Sequence, residues 1–348
     1  MAEWLGVPYT HIAIIAFIPA VLLYYVMFLQ VHFEAKKLNI LSIPRSEIPP
    51  LRETLRKTPP FLIPVVVLLV LMFIFGFSPY ASALWAALTI LITTAFNKNS
   101  RVTLTKLGNI FSESANSSII PGLACAMAGI LMGSVAMTGI AASFTNSLVN
   151  FAEGRLFLLL LVAAAASFLF GMGVGSIPSY VFVAVLVAPA LVEIGQPLIA
   201  SHLFVFWIAM SAFITPPVCI SAYVAAAIAN APPMRSGFQA IRLGIGMVLI
   251  PFAFIYNPGL ILNDSITGII VAIISIALGL LGIAIAFEGY LSRSLQWWER
   301  LLFMASGLIM FIPTYWIKLM SFGVMAMLFI WQYKNIIGLR FSVKKTRE

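Results

Sequence analysis

The residues best placed to do chemistry lie at two interruptions of apolar, helix-forming sequence. One interruption lies within residues 155–194 and the other within residues 199–231. Both hold residues that do not readily continue a helix: Gly171, Gly173, Gly175 and Pro178 in the first, and Thr215, Pro216 and Pro217 in the second. In hydrocarbon every backbone amide and carbonyl needs a partner, so a broken helix is tolerated only where protein buries it or where it lines a cavity. Two breaks in neighbouring segments are typical of the ligand sites of membrane transporters.

Peptide dipoles and hydroxyl groups are the ligands that such breaks supply. The C-terminal ends of half-helices carry partial negative charge and suit a hard cation such as sodium, whereas N-terminal ends suit a carboxylate. Glycine lets the backbone approach an ion, and proline frees the carbonyl four residues earlier. We therefore predict an ion and substrate site made of Gly171, Gly173, Gly175, Ser176, Pro178, Ser179, Thr215, Pro216, Pro217 and Ser221, with possible sodium contacts at Gly173, Ser176 and Thr215.

Groups for proton transfer or catalysis are not apparent at these breaks. Asp, Glu, Lys and Arg fall near the ends of the apolar runs rather than in their middles, and so do the His residues. The run Gly171-x-Gly173-x-Gly175-Ser176 could also be a phosphate loop or a serine-hydrolase turn. A phosphate loop would follow a strand, and no base is placed to activate Ser176. A membrane-embedded enzyme is thus the less favoured alternative, and we expect no cofactor and no metal other than sodium.

The composition indicates an all-α polytopic membrane protein. Of the 348 residues, 62% are hydrophobic and only 9% are charged, far from the usual balance of a soluble domain. The net charge of +9 would suggest a nucleic-acid partner in a soluble chain. Here the basic residues lie between apolar runs, so they indicate cytoplasmic loops of a protein surrounded by lipid, with no nucleic acid bound.

Apolar runs of about 20 residues mark the membrane crossings. We predict an amphipathic interfacial helix at 103–118. The runs 155–170 and 179–194 are each too short to cross, and we predict that they form a re-entrant hairpin. With that hairpin nearly every basic cluster, including the C-terminal tail, falls on the cytoplasmic side of the inner (plasma) membrane. The predicted full crossings are 9–32, 61–77, 81–97, 119–139, 199–231 (broken), 239–258, 265–288, 301–317 and 319–336.

Three stretches resemble the large membrane subunit of tripartite ATP-independent periplasmic (TRAP) transporters, especially fused permeases of the TAXI type. They are GMGVGSIPSYVFVAVLVAPALVEIGQ (171–196), AFITPPVCISAYVAAAIANAPPMRSGFQAIRLG (212–244) and LIPFAFIYNPGLIL (249–262). One departure is that related permeases commonly carry a Leu-Pro-Thr-Thr-like sequence where this chain has 174–178. The resemblance runs over essentially the whole chain, which corresponds to only the second of two repeats, with Met1 to Gly6 similar to the end of the first repeat's broken helix.

This resemblance implies the second inverted repeat of an elevator-type fold. It implies sodium-coupled symport of organic acids, such as dicarboxylates or acidic amino acids, delivered by a periplasmic substrate-binding protein. The further partners would be the missing N-terminal half and a small membrane subunit. A non-transporting membrane fragment is the alternative. The implied regions are the end of the first transport domain with one span and a linker (1–60), scaffold helices with an amphipathic arm (61–154), the transport-domain half (155–258) and extra spans with a basic tail (259–348).

Overall fold

The computed structural model describes residues 1–52, 59–95, 103–172 and 175–345. Every named secondary-structure element within these ranges is a helix. Within those ranges six stretches are long and apolar enough to cross a membrane. They are Tyr9–Lys37, Thr105–Thr138, Ser176–Glu193, Pro233–Tyr256, Ile266–Glu288 and Tyr315–Gln332. The predicted polytopic membrane protein is therefore confirmed. The stretch Ser176–Glu193 has 18 residues, so its length alone does not distinguish a full crossing from the second arm of a hairpin.

The described residues fall into two compact units. Unit 1 contains residues 1–14 and 41–123, and unit 2 contains residues 15–40 and 124–348. The chain begins with the short helix α1 (Ala2–Leu5), and the long helix α2 (Tyr9–Lys37) contributes to both units.

In unit 1, helices α3 (Pro59–Phe73) and α4 (Pro79–Ala95) pack against each other as a helical hairpin. The turn between them uses Gly76 at φ +69°, a backbone conformation that favours glycine. Ser78 then caps α4, because its hydroxyl accepts the backbone N–H of Ala81 at 3.3 Å. This hairpin lies where the sequence predicts crossings at 61–77 and 81–97.

Helix α5 (Leu104–Thr138) is one uninterrupted rod of 35 residues. The sequence predicts two pieces here, an interfacial helix at 103–118 and a crossing at 119–139, and this division is wrong. Pro121 lies inside the helix without ending it. The hydroxyls of Ser118 and Ser134 donate to carbonyls one turn earlier, at 2.7 and 3.0 Å. Polar side chains that bond to their own helix remain compatible with helical structure, so serine-rich composition alone does not end this element.

The core of unit 2 is formed around helix α10 (Leu198–Ser211). Three further helices, α7 (Leu156–Gly171), α8 (Ser176–Leu186) and α9 (Ala188–Glu193), contact it, and most α10 side chains are buried. Helix α6 (Ile140–Ala152) covers this group and packs on α7, α8 and α9. Because α10 is apolar on all sides, its burial is the arrangement that its composition favours.

After α10 the chain forms a 3-10 turn (Ala212–Ile214) and then helices α11 (Ile220–Ile228), α12 (Pro233–Leu243) and α13 (Gly246–Tyr256). The predicted crossing at 239–258 is thus divided between α12 and α13. Gly244 ends α12 at a point where a side chain would overlap Ile214. Helix α13 packs along α10, so it belongs to the same core.

The last helices of unit 2 are α14 (Ile266–Glu288), α15 (Trp297–Ile309) and α16 (Tyr315–Lys345). Helices α14 and α15 meet at two glycines: a Cβ added at Gly279 would lie 2.7 Å from the carbonyl oxygen of Gly307, and the converse holds. Such small residues permit close helix packing in membranes. Helix α15 has only 13 residues and ends before Pro313, so the predicted full crossing at 301–317 differs from the observed helix.

Candidate functional site

The first break begins where α7 ends. Gly171 is the last residue of α7, and Met172 takes an extended conformation with ψ 120°. Gly173 and Val174 lie outside the described residues, so the predicted sodium contact at Gly173 is a prediction only. Gly175 follows at φ +85° and ψ +161°, a conformation that L side chains rarely adopt, and it caps the start of α8. The described residues on either side of the break, Met172 and Gly175, therefore both have non-helical backbone.

The hydroxyl of Ser179 contacts the described residues on both sides of the first break. Ser179 is fully buried, and its Oγ lies 2.6 Å from the carbonyl oxygen of Gly175 and 3.3 Å from that of Gly171. The hydroxyl has one hydrogen to donate, and its oxygen keeps its acceptor lone pairs. Ser179 thus bridges the end of α7 and the start of α8.

The second break separates α10 from α11. Thr215 has an extended backbone, and the Pro216–Pro217 peptide bond is cis. The Thr215 hydroxyl donates to the carbonyl of Ser211 at 2.8 Å, so it fills a place at the end of α10 that a backbone amide would otherwise fill. Donation of its only hydrogen leaves the lone pairs of Thr215 Oγ1 available to a cation.

Cys219 completes the second break. It has φ +41°, in the left-handed region, and it directly precedes α11. Its backbone N–H donates to the carbonyl of Thr215 at 3.1 Å, and its thiol lies 3.2 Å from the carbonyl oxygen of Ile214. The buried thiol therefore has a structural contact.

The structure brings the ends of α7 and α10 together. A Cβ at Gly171 would overlap the backbone of Ala209, at 2.9 Å from its Cα, so the two helices touch through their backbones. Ala209 lies two residues before the end of α10, and α7 also packs against the 3-10 turn that follows α10. Two helix C-termini, each with partial negative charge, therefore lie side by side next to both breaks.

A buried tyrosine of α8 and a buried histidine of α10 join these two helices. Tyr180 Oη and His202 Nδ1 lie 2.9 Å apart, and both side chains are buried. Tyr180 also packs edge-on against Phe206. This contact fixes α8 on α10 and was not predicted, since the sequence indicates only that His202 lies near the end of a span. A tyrosine and a histidine 22 residues apart give no periodic signal.

Helix α12 closes the second break from the side. A Cβ at Gly237 would lie 2.9 Å from Pro216 Cγ and 3.0 Å from Cys219 Sγ. Glycine at this position therefore permits the backbone of α12 to lie directly on the unwound segment. Sequence reasoning missed this contact because Gly237 is the only glycine of an otherwise ordinary amphipathic helix.

The remaining predicted residues differ in their exposure. Ser176 and Ser221 lie in the first turns of α8 and α11, and both are exposed. Pro178 is buried in the first turn of α8, where a missing N–H does not disturb the helix. Pro217 is exposed, and its carbonyl accepts the hydroxyl of Tyr223 at 3.3 Å. The exposed Ser176 and Ser221 thus lie at the starts of α8 and α11, whereas Gly171 and Ser211, at the ends of α7 and α10, are buried.

Comparison with protein families gives one match, to the family described as tripartite ATP-independent periplasmic transporter, DctM component. The match covers residues 1–269, which include both breaks and helices α1 to α13. No match was found among curated proteins or among solved structures.

Proposed function

The chain belongs to the DctM family, the large membrane component of the tripartite ATP-independent periplasmic transporters, and on this premise we propose that its two breaks form a sodium and organic-acid site. A permease of this family is a multi-pass inner-membrane protein that works with a periplasmic binding protein and a small membrane subunit. The proposal concerns what the family leaves open, which is the coupling ion, the substrate class and the residues that hold them.

The observation that carries the proposal is the meeting of α7 and α10 at their C-terminal ends. The backbone contact between Gly171 and Ala209 places two negative helix ends together, next to segments whose carbonyls are released from regular helix bonding. Such an arrangement attracts a cation, and desolvated carbonyl and hydroxyl oxygens are ligands for hard cations. Sodium is the cation that we assign to this place.

The hydroxyl of Thr215 supports the same assignment. Its hydrogen is committed to the carbonyl of Ser211, so its oxygen can face a cation with its lone pairs. Gly173 and Ser176 complete the ligand set that we propose. Further ligand residues are Gly171, Gly175, Pro178, Ser179, Pro216, Pro217 and Ser221.

We assign the substrate to the opposite helix ends. Helices α8 and α11 begin directly after the two breaks, and no side-chain hydrogen bond caps either start. The first amides of such helices, with the positive end of the helix dipole, suit the carboxylate of an organic acid. The exposed hydroxyls of Ser176 and Ser221 lie in these first turns and can add hydrogen bonds.

We further propose that the chain supplies one of two inverted repeats of an elevator-type permease of the TAXI type. In this view α7 and α8 are a re-entrant hairpin, α10 and α11 are the broken helix, and the C-terminus is cytoplasmic. One repeat holds half of the ion and substrate ligands, so the other half, from the rest of the permease, is needed for transport.

Uptake by reconstituted vesicles tests this function. Vesicles with the complete permease, the small subunit and the cognate binding protein should take up the acid that the binding protein carries when a sodium gradient is applied. Potassium in place of sodium, or omission of the binding protein, should abolish uptake. Uptake that does not depend on sodium would refute the assignment of sodium as the coupling ion. Full uptake by vesicles with only this chain would refute the single-repeat assignment.

A further inference from the structure

Three helices of unit 2 meet at a cluster of charged side chains away from the breaks. Arg242 of α12 lies between Glu34 of α2 and Glu288, the last residue of α14. Its Nη2 is 3.3 Å from Glu34 Oε1 and 3.3 Å from Glu288 Oε2. The Glu288 side chain is completely buried, whereas those of Glu34 and Arg242 are about a quarter exposed. One guanidinium nitrogen therefore serves two carboxyl groups.

The buried carboxyl group lacks hydrogen-bond donors. Among the described residues, neither oxygen of Glu288 accepts a hydrogen bond, and the same holds for Glu34 Oε2. The nearby ammonium of Lys37 is engaged elsewhere, because it donates to the backbone carbonyl of Glu288 at 3.0 Å and lies 3.8 Å from Glu34 Oε2. A buried ionised carboxylate needs pairing and hydrogen bonds. The 3.3 Å contact of Glu288 with Arg242 Nη2, a nitrogen that Glu34 also contacts, compensates poorly for the loss of hydration.

Both carboxyl groups lie 3.3 Å from the same nitrogen of Arg242, so a hydrogen bond between them would give the buried Glu288 carboxyl the partner that it lacks. An ionised carboxylate is an acceptor only, so such a bond requires a proton on one partner. Two carboxylates at this separation do not both ionise readily, and the pair takes up a proton as one unit. We propose that Glu34 and Glu288 form a proton-binding site that holds one proton between them in the folded protein at neutral pH.

The groups that face Glu288 come from three helices and include both acidic and basic side chains. Helix α2 contributes Glu34 and Lys37, and α12 contributes Arg242. Helix α15 contributes Arg300, but its guanidinium donates to the backbone carbonyls of Ala286 and Phe287. With the proton in place, a single negative charge is shared between Arg242 and Lys37, and the proton supplies the missing donor between the two carboxyl groups.

The proton-binding site has a consequence for the arrangement of α12. Arg242 lies on the same helix as Gly237, which packs on Pro216 and Cys219 at the second break. Gln30 of α2 holds the same helix end, because its Nε2 donates to the Arg242 carbonyl at 2.9 Å. The site therefore secures the helix that supports the break, and it does so with a residue, Glu288, beyond the family match of residues 1–269.

A matched pair of variants tests the proposal. Glu299 is equally buried in the same group of helices, but it receives Arg293 Nη2 at 2.7 Å and the backbone N–H of Gln296 at 2.8 Å, so it is a fully paired carboxylate. Glutamine resembles a protonated glutamate. Glu288→Gln should therefore melt at or near the wild-type temperature, whereas Glu299→Gln should melt roughly 5 °C lower or more. Equal losses in both variants would overturn the proposal.

Infrared spectroscopy measures the proton itself. The wild-type protein at neutral pH should show the carbonyl stretching band of a protonated carboxyl group, and the band should shift in heavy water and fade as the pH rises. Glu288→Gln should remove the band and Glu299→Gln should keep it. A wild-type spectrum without such a band at neutral pH would refute the proposal, whatever the stability of the variants.

Discussion

At the scale of single residues, the candidate site depends on two glycines that permit close packing. Gly171 allows α7 to touch α10, and Gly237 allows α12 to lie on the second break. Two hydroxyls donate hydrogen bonds to carbonyls at the breaks: Ser179 at the first break and Thr215 at the second. The glycines act because they have no side chain, and the two hydroxyls act through one hydrogen bond each. Conservative substitutions at these positions should therefore have measurable effects on stability.

The contact at Gly171 gives the first prediction. In Gly171→Ala the added methyl group meets the backbone of Ala209, which cannot move as a flexible side chain would. We expect a loss of about 1–3 kcal/mol in the free energy of unfolding. The control is Gly129→Ala in α5, where no atom of another described segment lies within 4 Å of the added Cβ. There alanine should be neutral or stabilising by up to about 1 kcal/mol. Equal effects in the two variants would argue against the close contact.

The hydrogen bond between Tyr180 and His202 gives the second prediction. Tyr180→Phe leaves a buried histidine nitrogen without its partner, so unfolding should become easier by about 1–3 kcal/mol. Tyr24→Phe is the control, because Tyr24 is 73% exposed. Thermal melting of both variants measures the difference. If Tyr180→Phe melted like the control, the hydrogen bond would have no part in holding α8 on α10.

At the scale of elements, the breaks could be predicted because glycine and proline act locally. The structure ends α7 at Gly171 and begins α8 at Ser176, and it ends α10 at Ser211 and begins α11 at Ile220, so breaks are present at both predicted places. Other boundaries depend on tertiary packing. Pro121 is tolerated within α5, and α12 ends at Gly244, where Ile214 leaves no room for a side chain.

Side-chain pairs between distant segments could not be predicted in the same way. Glu34, Arg242 and Glu288 each lie near the end of an apolar run, where a charge usually faces water or a headgroup. Only the packing of α2, α12 and α14 brings them together. The sequence carried one weak signal, which was the presence of acidic residues among basic ones at these ends.

Helix α12 gives the third prediction, because one arginine ties it to two other helices. Arg242→Gln removes ion pairs to Glu34 and to the buried Glu288, and we expect a loss of about 2–3 kcal/mol in the free energy of unfolding. Arg155→Gln is the matched control. Arg155 pairs with Glu153 at 3.5 Å, with both side chains mostly exposed, so its loss should be under about 1 kcal/mol. Denaturant titration of both variants would show whether this ranking is right.

At the scale of the whole molecule, unit 2 includes a group of helices beyond the family match. Helices α14 to α16 pack on each other and connect to α13 through Asn257. The amide of Asn257 donates to the carbonyl of Phe311 at 2.8 Å and accepts the ammonium of Lys318 at 2.6 Å, all within buried surroundings. These C-terminal helices are therefore fixed to the half of unit 2 that holds the breaks.

Asn257 gives the fourth prediction. Asn257→Leu leaves the buried Lys318 without its acceptor, so local opening of residues 297–332 should become about tenfold more frequent or more. Hydrogen exchange followed by mass spectrometry should show faster exchange there and unchanged exchange at 155–211. Asn263→Leu, at an exposed position, should change neither region. Uniformly faster exchange in Asn257→Leu would mean global destabilisation rather than release of the C-terminal helices.

The most direct test of the site is the effect of sodium on the melting temperature of the full chain. At equal ionic strength, sodium should raise the melting temperature above that in potassium, because an ion bound to the folded state alone stabilises it. Thr215→Ala should abolish this difference. Thr89→Ala should preserve it, since Thr89 makes the same 2.8 Å bond to a carbonyl one turn earlier but lies in the unbroken helix α4. Identical melting in sodium and potassium, or a sodium effect that survives Thr215→Ala, would contradict the proposed site.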